Sequence, residues 1–180
     1  IEALIRLTQA HRLEAIIVGG SEAWMVAEEL AEAGIAVILS PNANLPRSFD
    51  SINARRGAAK ILEAAGVKIA FTETRAEAHN ARNITQSAGN AVRDGLSWDA
   101  ALRAITLTPA EIYGVADTIG SIEVGKAADV VIWPADPFEL TSYPERVLIN
   151  GGEIPMVSRQ TLLRDRYLQM DSDKPPVYRD

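Results

Sequence analysis

The sequence predicts an α/β fold built on parallel strands. Three short runs of apolar residues, at 13–18, 35–39 and 67–71, are each followed by a polar loop and a helical pattern. These strand–helix units repeat at about thirty residues, the size of a βαβ unit. Strands that are apolar throughout are typical of parallel sheets covered on both faces. The pattern fits either a barrel or a doubly wound sheet, and periodicity alone does not choose between them.

Composition excludes several classes of function. The 180 residues are 47% hydrophobic and 23% charged, as in globular proteins that form one domain, or one domain and part of another. The net charge of −6 argues against binding to nucleic acid or to an anionic membrane. The absence of cysteine excludes disulfides, a thiolate nucleophile and a cysteine-ligated zinc. No apolar run approaches the ~20 residues of a membrane span.

The start of the chain carries two further expectations. A helical pattern begins at once, with no N-cap residue and no initiator methionine, which favours a piece of a longer chain. There is no charged-then-apolar leader, so we expect a cytoplasmic protein.

Helical patterns fill most of the remaining sequence. They are predicted over residues 1–12, 22–33, 53–65, 78–95, 97–105, 109–114 and 161–170. Ser21 is expected to cap the second of these helices, and Ser97 begins the fifth. Gly34 and Gly66 follow helix ends, where glycine is favoured. Pro109 is expected at the first position of its helix.

Two β-hairpins are predicted in the last third of the chain. Residues 117–133 read DTIGSIEVGKAADVVIW, in which an alternating run and an apolar run flank Gly125-Lys126. A second hairpin should pair 146–150 with 154–157 across Asn150-Gly151-Gly152. Residues 171–180 are polar and contain two adjacent prolines, so we expect a loosely held tail.

The identities of the residues around the first predicted hairpin are more informative about protein family than their hydrophobic pattern is. A helix reading TLTPAEIYGV, the stretch IGSIEVGKAADVVI and a following DPFE together resemble the C-terminal region of the metal-dependent amidohydrolase superfamily, in its imidazolonepropionase-like and prolidase-like branch. The resemblance covers about residues 13–159. It implies the last three βα units of a (β/α)8 TIM-like barrel over 1–114, part of a small β-sandwich over 115–160, and a C-terminal helix and tail over 161–180.

A barrel of this type needs eight strands in ~250 residues. A sheet of three strands has two unpaired edges and an inner face with nothing opposite. We therefore expect exposed apolar surface that a homodimer partner or the missing half would cover, or else a rearranged open α/β layer.

The resemblance also implies a divalent metal, zinc in particular, in intact family members. Its ligands follow the first, fourth, fifth, sixth and eighth barrel strands. Val18, Gly19 and Gly20 stand where the sixth strand would be followed by a histidine. After the eighth, Thr74 aligns with the family's aspartate, and Glu73 lies one residue away. We expect Glu73 and Thr74 at the catalytic position and no metal held by this chain.

Substrate-binding residues are expected just beyond the third strand. His79, Asn80 and Arg82 follow it, and Arg82 could clamp a carboxylate through two hydrogen bonds. The alternative is that they cap and solvate the start of a helix. His11, the other histidine, fits a helix C-terminus, where a basic residue is favourable.

Weaker candidates each have a simpler structural explanation. Gly19-Gly20-Ser21 could bind an anion at a helix start but fits a tight turn better. Lys126 and Asp129 fit a turn lysine and a carboxylate at the hairpin end. The remaining candidates were expected in loops, on solvated helix faces or in packing gaps: Asn42, Asn44, Arg47, Arg55, Arg56, Trp24, Trp98 and Trp133.

Two functions remain open at this stage. The first is a hydrolase for non-peptide or dipeptide C–N bonds, of which this chain would be a C-terminal part without activity of its own. Its partner would be a small-molecule substrate. The second is a metal-free, non-catalytic relative that serves as a binding or assembly module.

Overall fold

The computed structural model describes residues 1–73 and 78–168. Its α-helices are Glu2–His11 (α1), Ala27–Glu32 (α2), Ala58–Ala64 (α3), Ile84–Arg93 (α4), Trp98–Ile105 (α5), Leu107–Ile112 (α6) and Arg159–Leu168 (α7). Its strands are Ile16–Gly19 (β1), Ala36–Leu39 (β2), Ile69–Phe71 (β3), Val130–Ile132 (β4), Arg146–Ile149 (β5) and Gly152–Ile154 (β6). Short 3₁₀ helices lie at Ala23–Val26, Phe49–Ser51 and Ala78–Asn83. The predicted tail 171–180 lies outside the described residues.

The first half is an α/β unit on a parallel sheet, as predicted. The strands lie in the order β1-β2-β3, with Ile17 opposite Val37 and Ile38 opposite Ala70. All residues of β2 and β3 are buried. The prediction of a buried first strand was wrong, because β1 is an edge strand and Val18 is 70% exposed. An apolar run thus marks the strand but not its place in the sheet.

The core lies between this sheet and the helices that follow its strands. Leu30, Val37 and Leu62 are fully buried at its centre. Buried alanines on α4 and α5, such as Ala88 and Ala101, have little side chain to separate the two helices. These helices pack against each other and against β3. The sheet therefore has a rigid support behind its third strand.

Several helix starts differ from the prediction. Ser21 does not cap α2, because the 3₁₀ turn Ala23–Val26 comes first. The helix predicted from residue 53 begins only after Gly57, whose φ of 74° is left-handed. The helix predicted from residue 78 opens as a 3₁₀ helix and becomes α-helical at Ile84. Pro109 is the third residue of α6, still within the first turn, where no helical hydrogen bond needs its missing N–H.

Other helix ends are as predicted. The Ser97 hydroxyl accepts a hydrogen bond from the Ala100 N–H at 3.2 Å and so caps α5. Gly34 and Gly66 follow α2 and α3 with positive φ, the conformation that ends helices at low cost for glycine.

The hairpin predicted over 117–133 is absent, which corrects the sequence interpretation. Only Val130–Ile132 forms a strand there, and it pairs with β5 instead. Ile122 is 85% exposed and Val124 fully exposed, so the alternating run finds no partner strand. Lys126 Nζ instead contacts the Ser121 hydroxyl at 2.6 Å and the Glu123 carboxylate at 3.1 Å. The segment is thus a loop held by side chains.

The second predicted hairpin is present, but its second strand is Gly152–Ile154 rather than 154–157, because Gly152 pairs with Ile149 instead of belonging to the turn. Strands β5 and β6 are antiparallel and joined through Asn150 and Gly151, with φ of 50° and 77°. Positive φ at both positions is typical of the tight turn that suits a right-handed strand twist. The Asn150 N–H donates to Asp129 Oδ1 at 2.8 Å, so Asp129 holds the turn of this hairpin rather than, as was predicted, the end of the first one.

None of the helices in the described residues combines the length and the apolar character needed to cross a membrane.

Candidate functional site

The carboxyl ends of the three parallel strands meet at one edge of the sheet. Strands β1, β2 and β3 end at Gly19, Leu39 and Phe71, and the Thr72 N–H donates to the Leu39 carbonyl at 3.0 Å. Ligand sites of α/β folds form at this edge, in the loops that leave the strands. The candidate site is therefore sought in these loops and in the helix face against them.

A hydrogen-bonded chain of polar side chains lies at this edge. The Ser87 hydroxyl donates to Glu73 Oε1 at 2.5 Å and accepts from Asn42 Nδ2 at 2.8 Å. Asn90 Nδ2 in turn donates to Asn42 Oδ1 at 2.8 Å. Ser87 is completely buried. We call these four residues the polar network. Its centre, Ser87, is buried while Asn42 is exposed, so the two hydrogen bonds of the Ser87 hydroxyl orient Glu73 and Asn42.

The polar network is one part of a longer seam between α4 and the loop after β2. Asn44 Nδ2 donates to Asp94 Oδ2 at 3.3 Å, and Arg93 Nε donates to Asp94 Oδ1 at 3.1 Å. Ser87, Asn90 and Asp94 are three and four residues apart, so they share one face of the helix. This face of α4 is hydrogen-bonded to the loop after β2 at several points, and through Ser87 it also holds Glu73 next to that loop.

The predicted site residues have different outcomes. Glu73 belongs to the polar network, whereas Thr74 lies outside the described residues. The side chain of His79 also lies outside them, and Asn80 lies in the 3₁₀ helix Ala78–Asn83. Arg82 Nη1 donates to Gln160 Oε1 of α7 at 3.1 Å, an exposed contact. Roles for these residues in catalysis or substrate binding remain predictions.

Sequence reasoning missed Ser87 and Asn90, which sit inside a helical pattern and carry no motif. The signal that could have found them is the polar spacing 87, 90 and 94 on one helix face, opposite a loop rich in asparagine. Asn42 and Asn44, which were expected as polar residues of a loop, form the loop's half of the seam.

The described residues do not form a metal centre of their own. Across 1–73 and 78–168, no three His, Cys, Asp or Glu side chains come together as ligands. The end of β1 offers Gly19 and Gly20 instead. A Cβ at Gly20 would lie 3.0 Å from Val37 Cγ1 and 3.2 Å from Ile17 Cγ2, so both side chains would have to shift, and the positive φ of 44° is itself unfavourable for a residue with a side chain. This donor set does not fit the three protein ligands of a catalytic zinc.

Known proteins resemble this chain over most of its length. A crystal structure of an amidohydrolase from Thermotoga maritima MSB8 is 32% identical with a TM-score of 0.75, and the similarity covers 84% of this chain and 39% of that one. An imidazolonepropionase of Erwinia tasmaniensis is 43% identical over 65 residues, which is 33% of this chain and 16% of the relative.

A solved prolidase in complex with N-methylphosphonate-L-proline shares the fold, with 22% identity, a TM-score of 0.60 and coverage of 78% of this chain and 40% of that one. The chain therefore spans well under half the length of these relatives. The profile of the amidohydrolase family matches residues 5–154. The chain is accordingly a member of the amidohydrolase family, and an imidazolonepropionase is among its relatives.

Proposed function

We propose that this chain supplies one side of the active site of a hydrolase that cleaves non-peptide or dipeptide C–N bonds, such as those of cyclic amides and imidazolones. The observation that carries the proposal is the polar network, which fixes a carboxylate at the carboxyl edge of a parallel sheet. Family membership supplies the reaction class, hydrolysis.

The same proposal includes the architecture. Residues 1–114 would be the last three βα units of a TIM-like barrel, 115–160 part of a β-sandwich, and 161–180 a terminal helix and tail. The parallel order of β1–β3 and the antiparallel order of β4–β6 support it. The exposed edge strand β1 supports a covering partner, either further barrel strands or a second copy of the chain.

Glu73 has the chemistry of a substrate-orienting or proton-accepting group. The Ser87 hydroxyl donates a hydrogen bond to Glu73 Oε1, while Glu73 Oε2 has no hydrogen-bond partner among the described residues. The free oxygen could accept a hydrogen bond from a substrate N–H or a proton during bond cleavage. His79, Asn80 and Arg82 would contact the substrate from the adjacent 3₁₀ helix.

Family members are generally metal-dependent, and zinc is the metal that we propose for the intact enzyme. Such a metal activates water and polarises a carbonyl. Because the described residues do not provide three ligands for such a metal, the ligands would have to come from another part of the intact enzyme. These 180 residues alone would then be inactive.

A second function is favoured by the same lack of a three-ligand group in the described residues, together with glycine at the end of β1. In this case the protein is a metal-free relative that binds a ligand or assembles with a partner. The seam between α4 and the loop after β2 would then serve recognition rather than catalysis.

Metal analysis combined with turnover assays separates the two functions. The intact protein, in which these residues lie beside the part that would supply the metal ligands, would be purified and assayed against Xaa-Pro dipeptides, N-acyl amino acids and imidazolone-type cyclic amides. The hydrolase predicts stoichiometric metal and turnover, with kcat reduced about 10²- to 10⁴-fold in Glu73→Gln and unchanged in Gln86→Ala on the exposed side of α4. A metal-free protein without turnover supports the binding module, and full activity in Glu73→Gln would remove Glu73 from the site.

A further inference from the structure

The loop after β4 covers the side of α4 that is turned away from the polar network. A Cβ at Gly89 would lie 3.3 Å from Phe138 Cβ, so this loop packs directly on the main chain of the helix. Residues two apart in an α-helix are separated by about 200° around its axis, which places Gly89 opposite Ser87. The helix is therefore enclosed between the loop on one side and Glu73 and Asn42 on the other.

The loop is itself fixed to the start of α5. Asp136 accepts hydrogen bonds from Trp98 Nε1, at 3.1 Å to Oδ2, and from the Phe138 N–H, at 2.9 Å to Oδ1. The Phe138 ring also packs against the Trp98 ring, a contact that aromatic side chains favour. Ser97 caps the first turn of α5, so the anchor belongs to a well-formed helix end. The loop thus connects the first turn of α5 to the middle of α4.

The other contacts of α4 restrain its position less strictly. Its N-cap residue, Asn83, makes no capping hydrogen bond through its side chain. The buried face of α4 presents alanines, among them Ala88 and Ala91, and small side chains form shallow ridges that restrain sliding less than large ones do. Any displacement of Ser87 changes the 2.5 Å hydrogen bond that orients the Glu73 carboxylate. The loop contact at the back of the helix therefore bears on the geometry of Glu73.

We propose that Phe138 and Asp136 are positioning residues for Glu73, because they hold the loop that keeps α4 where the Ser87 hydroxyl reaches the carboxylate. The inference rests on the proposed function, in which Glu73 orients the substrate or accepts a proton. It deepens that function by giving the segment after β4 a part in the reaction. The two residues do not touch the substrate, since they act through α4 and Ser87.

Kinetics of the intact protein test the positioning role. Phe138→Leu keeps an apolar side chain but loses the ring contact with Trp98. The kcat should fall at least about fivefold, with KM changed less than about twofold, because misplacing a group that acts on the reacting bond lowers kcat. In the Glu73→Gln background the same change should have no further effect on kcat. Leu140→Ala is the matched control, because Leu140 lies on the same loop and is 68% exposed, and its kcat should be native.

A second measurement needs no turnover and follows the polar network itself. The side-chain amide N–H groups of Asn42 and Asn90 take part in its hydrogen bonds and can be observed by NMR in protein with isotope-labelled asparagine. We expect their signals to shift in Phe138→Leu and in Asp136→Ala, which removes both hydrogen bonds of that carboxylate. Leu140→Ala should leave them in place. A loop that only stabilised the fold would leave these signals of the folded protein unchanged.

Three results would overturn the proposal: native kcat in both loop variants, unmoved amide signals in both, or an equal fall in kcat when Phe138→Leu is added to Glu73→Gln. Should Phe138→Leu fail to fold, Asp136→Ala carries each of these tests. Full activity of Glu73→Gln together with shifted amide signals would count against the proposed role of Glu73 only. Without turnover in any variant the proposed reaction fails, and the amide signals alone then decide whether the loop positions the network.

Discussion

Gly89 of α4 lies so close to Phe138 that a Cβ at this glycine would be 2.8 Å from the Phe138 carbonyl oxygen. The loop after β4 packs on the helix at this point. Its Phe138 ring also contacts Trp98 of α5, with ring centroids 5.2 Å apart. Because α4 carries Ser87, this contact joins the second sheet to the polar network.

Gly89→Ala should therefore destabilise the protein. Glycine to alanine inside a helix is usually stabilising, but here the added methyl meets main chain that cannot rotate away. We expect a loss of about 1–3 kcal/mol in urea unfolding, the usual cost of overpacking. Gln86→Ala on the same helix is exposed and should change stability by less than about 0.5 kcal/mol. A more stable Gly89→Ala protein would show that the loop does not pack on α4.

Phe138→Ala tests the same junction from the other side. Phe138 packs partly buried against the core, and its neighbour Trp98 donates through Nε1 to Asp136 at 3.1 Å. Loss of its ring should cost about 1–3 kcal/mol, less than for a fully buried phenylalanine. Phe49→Ala is the matched control, because Phe49 is 91% exposed and should be nearly neutral. Equal effects of the two changes in urea unfolding would contradict the packing described.

Ser87→Ala should cost more than the loss of a surface hydroxyl. It removes one hydroxyl that serves both Glu73 and Asn42, and it leaves their polar atoms without that partner. We expect a loss of about 0.5–1.5 kcal/mol, the net contribution of a hydrogen bond, because Asn42 is exposed and Glu73 half-buried, so water can replace the lost hydroxyl. In a double-mutant cycle, Ser87→Ala and Asn42→Ala should show a coupling energy of at least about 0.5 kcal/mol. Strict additivity would mean that the two side chains do not interact.

The hairpin of β5 and β6 should respond to acid. A hydrogen bond from Arg146, with Nη2 2.7 Å from Glu153 Oε2, lowers the pKa of Glu153 below its ordinary value of 4.5. A lowered pKa contributes stability that is present above about pH 4.5 and lost as the pH falls through the lowered value. The stability difference between the native protein and Glu153→Gln should thus be present at pH 7 and vanish in strong acid.

Because this pair is exposed, the effect should also shrink in high salt. Glu139→Gln, an exposed glutamate on the preceding loop, is the control. A Glu153→Gln protein whose stability difference from native is the same at both pH values would rule out the ion pair as its cause.

Much of the local structure could be predicted because its causes are local. The cap at Ser97, the glycine after α2 and the Asn150-Gly151 turn each depend on a few neighbouring residues. The alternation of residues 118–124 was equally clear, yet it forms no strand. A strand requires a partner, and β4 pairs with β5, a choice that a local pattern does not contain.

The site depends even more on distance along the chain. Asn42 and Ser87 are 45 residues apart in sequence and meet through one hydrogen bond. Arg55 faces Trp24, two residues that sequence reasoning placed on a solvated helix face and in a packing gap. No spacing rule relates such residues, since each pair is brought together only by the parallel sheet.

The sequence by itself determined the α/β class, the parallel strands and the family, because hydrophobic periodicity and family motifs are each contained in a short stretch of residues. Only the tertiary structure decided which strand lies at the exposed edge and which side chains hold Glu73. The physical reason is that burial, pairing and charge compensation depend on neighbours that folding supplies.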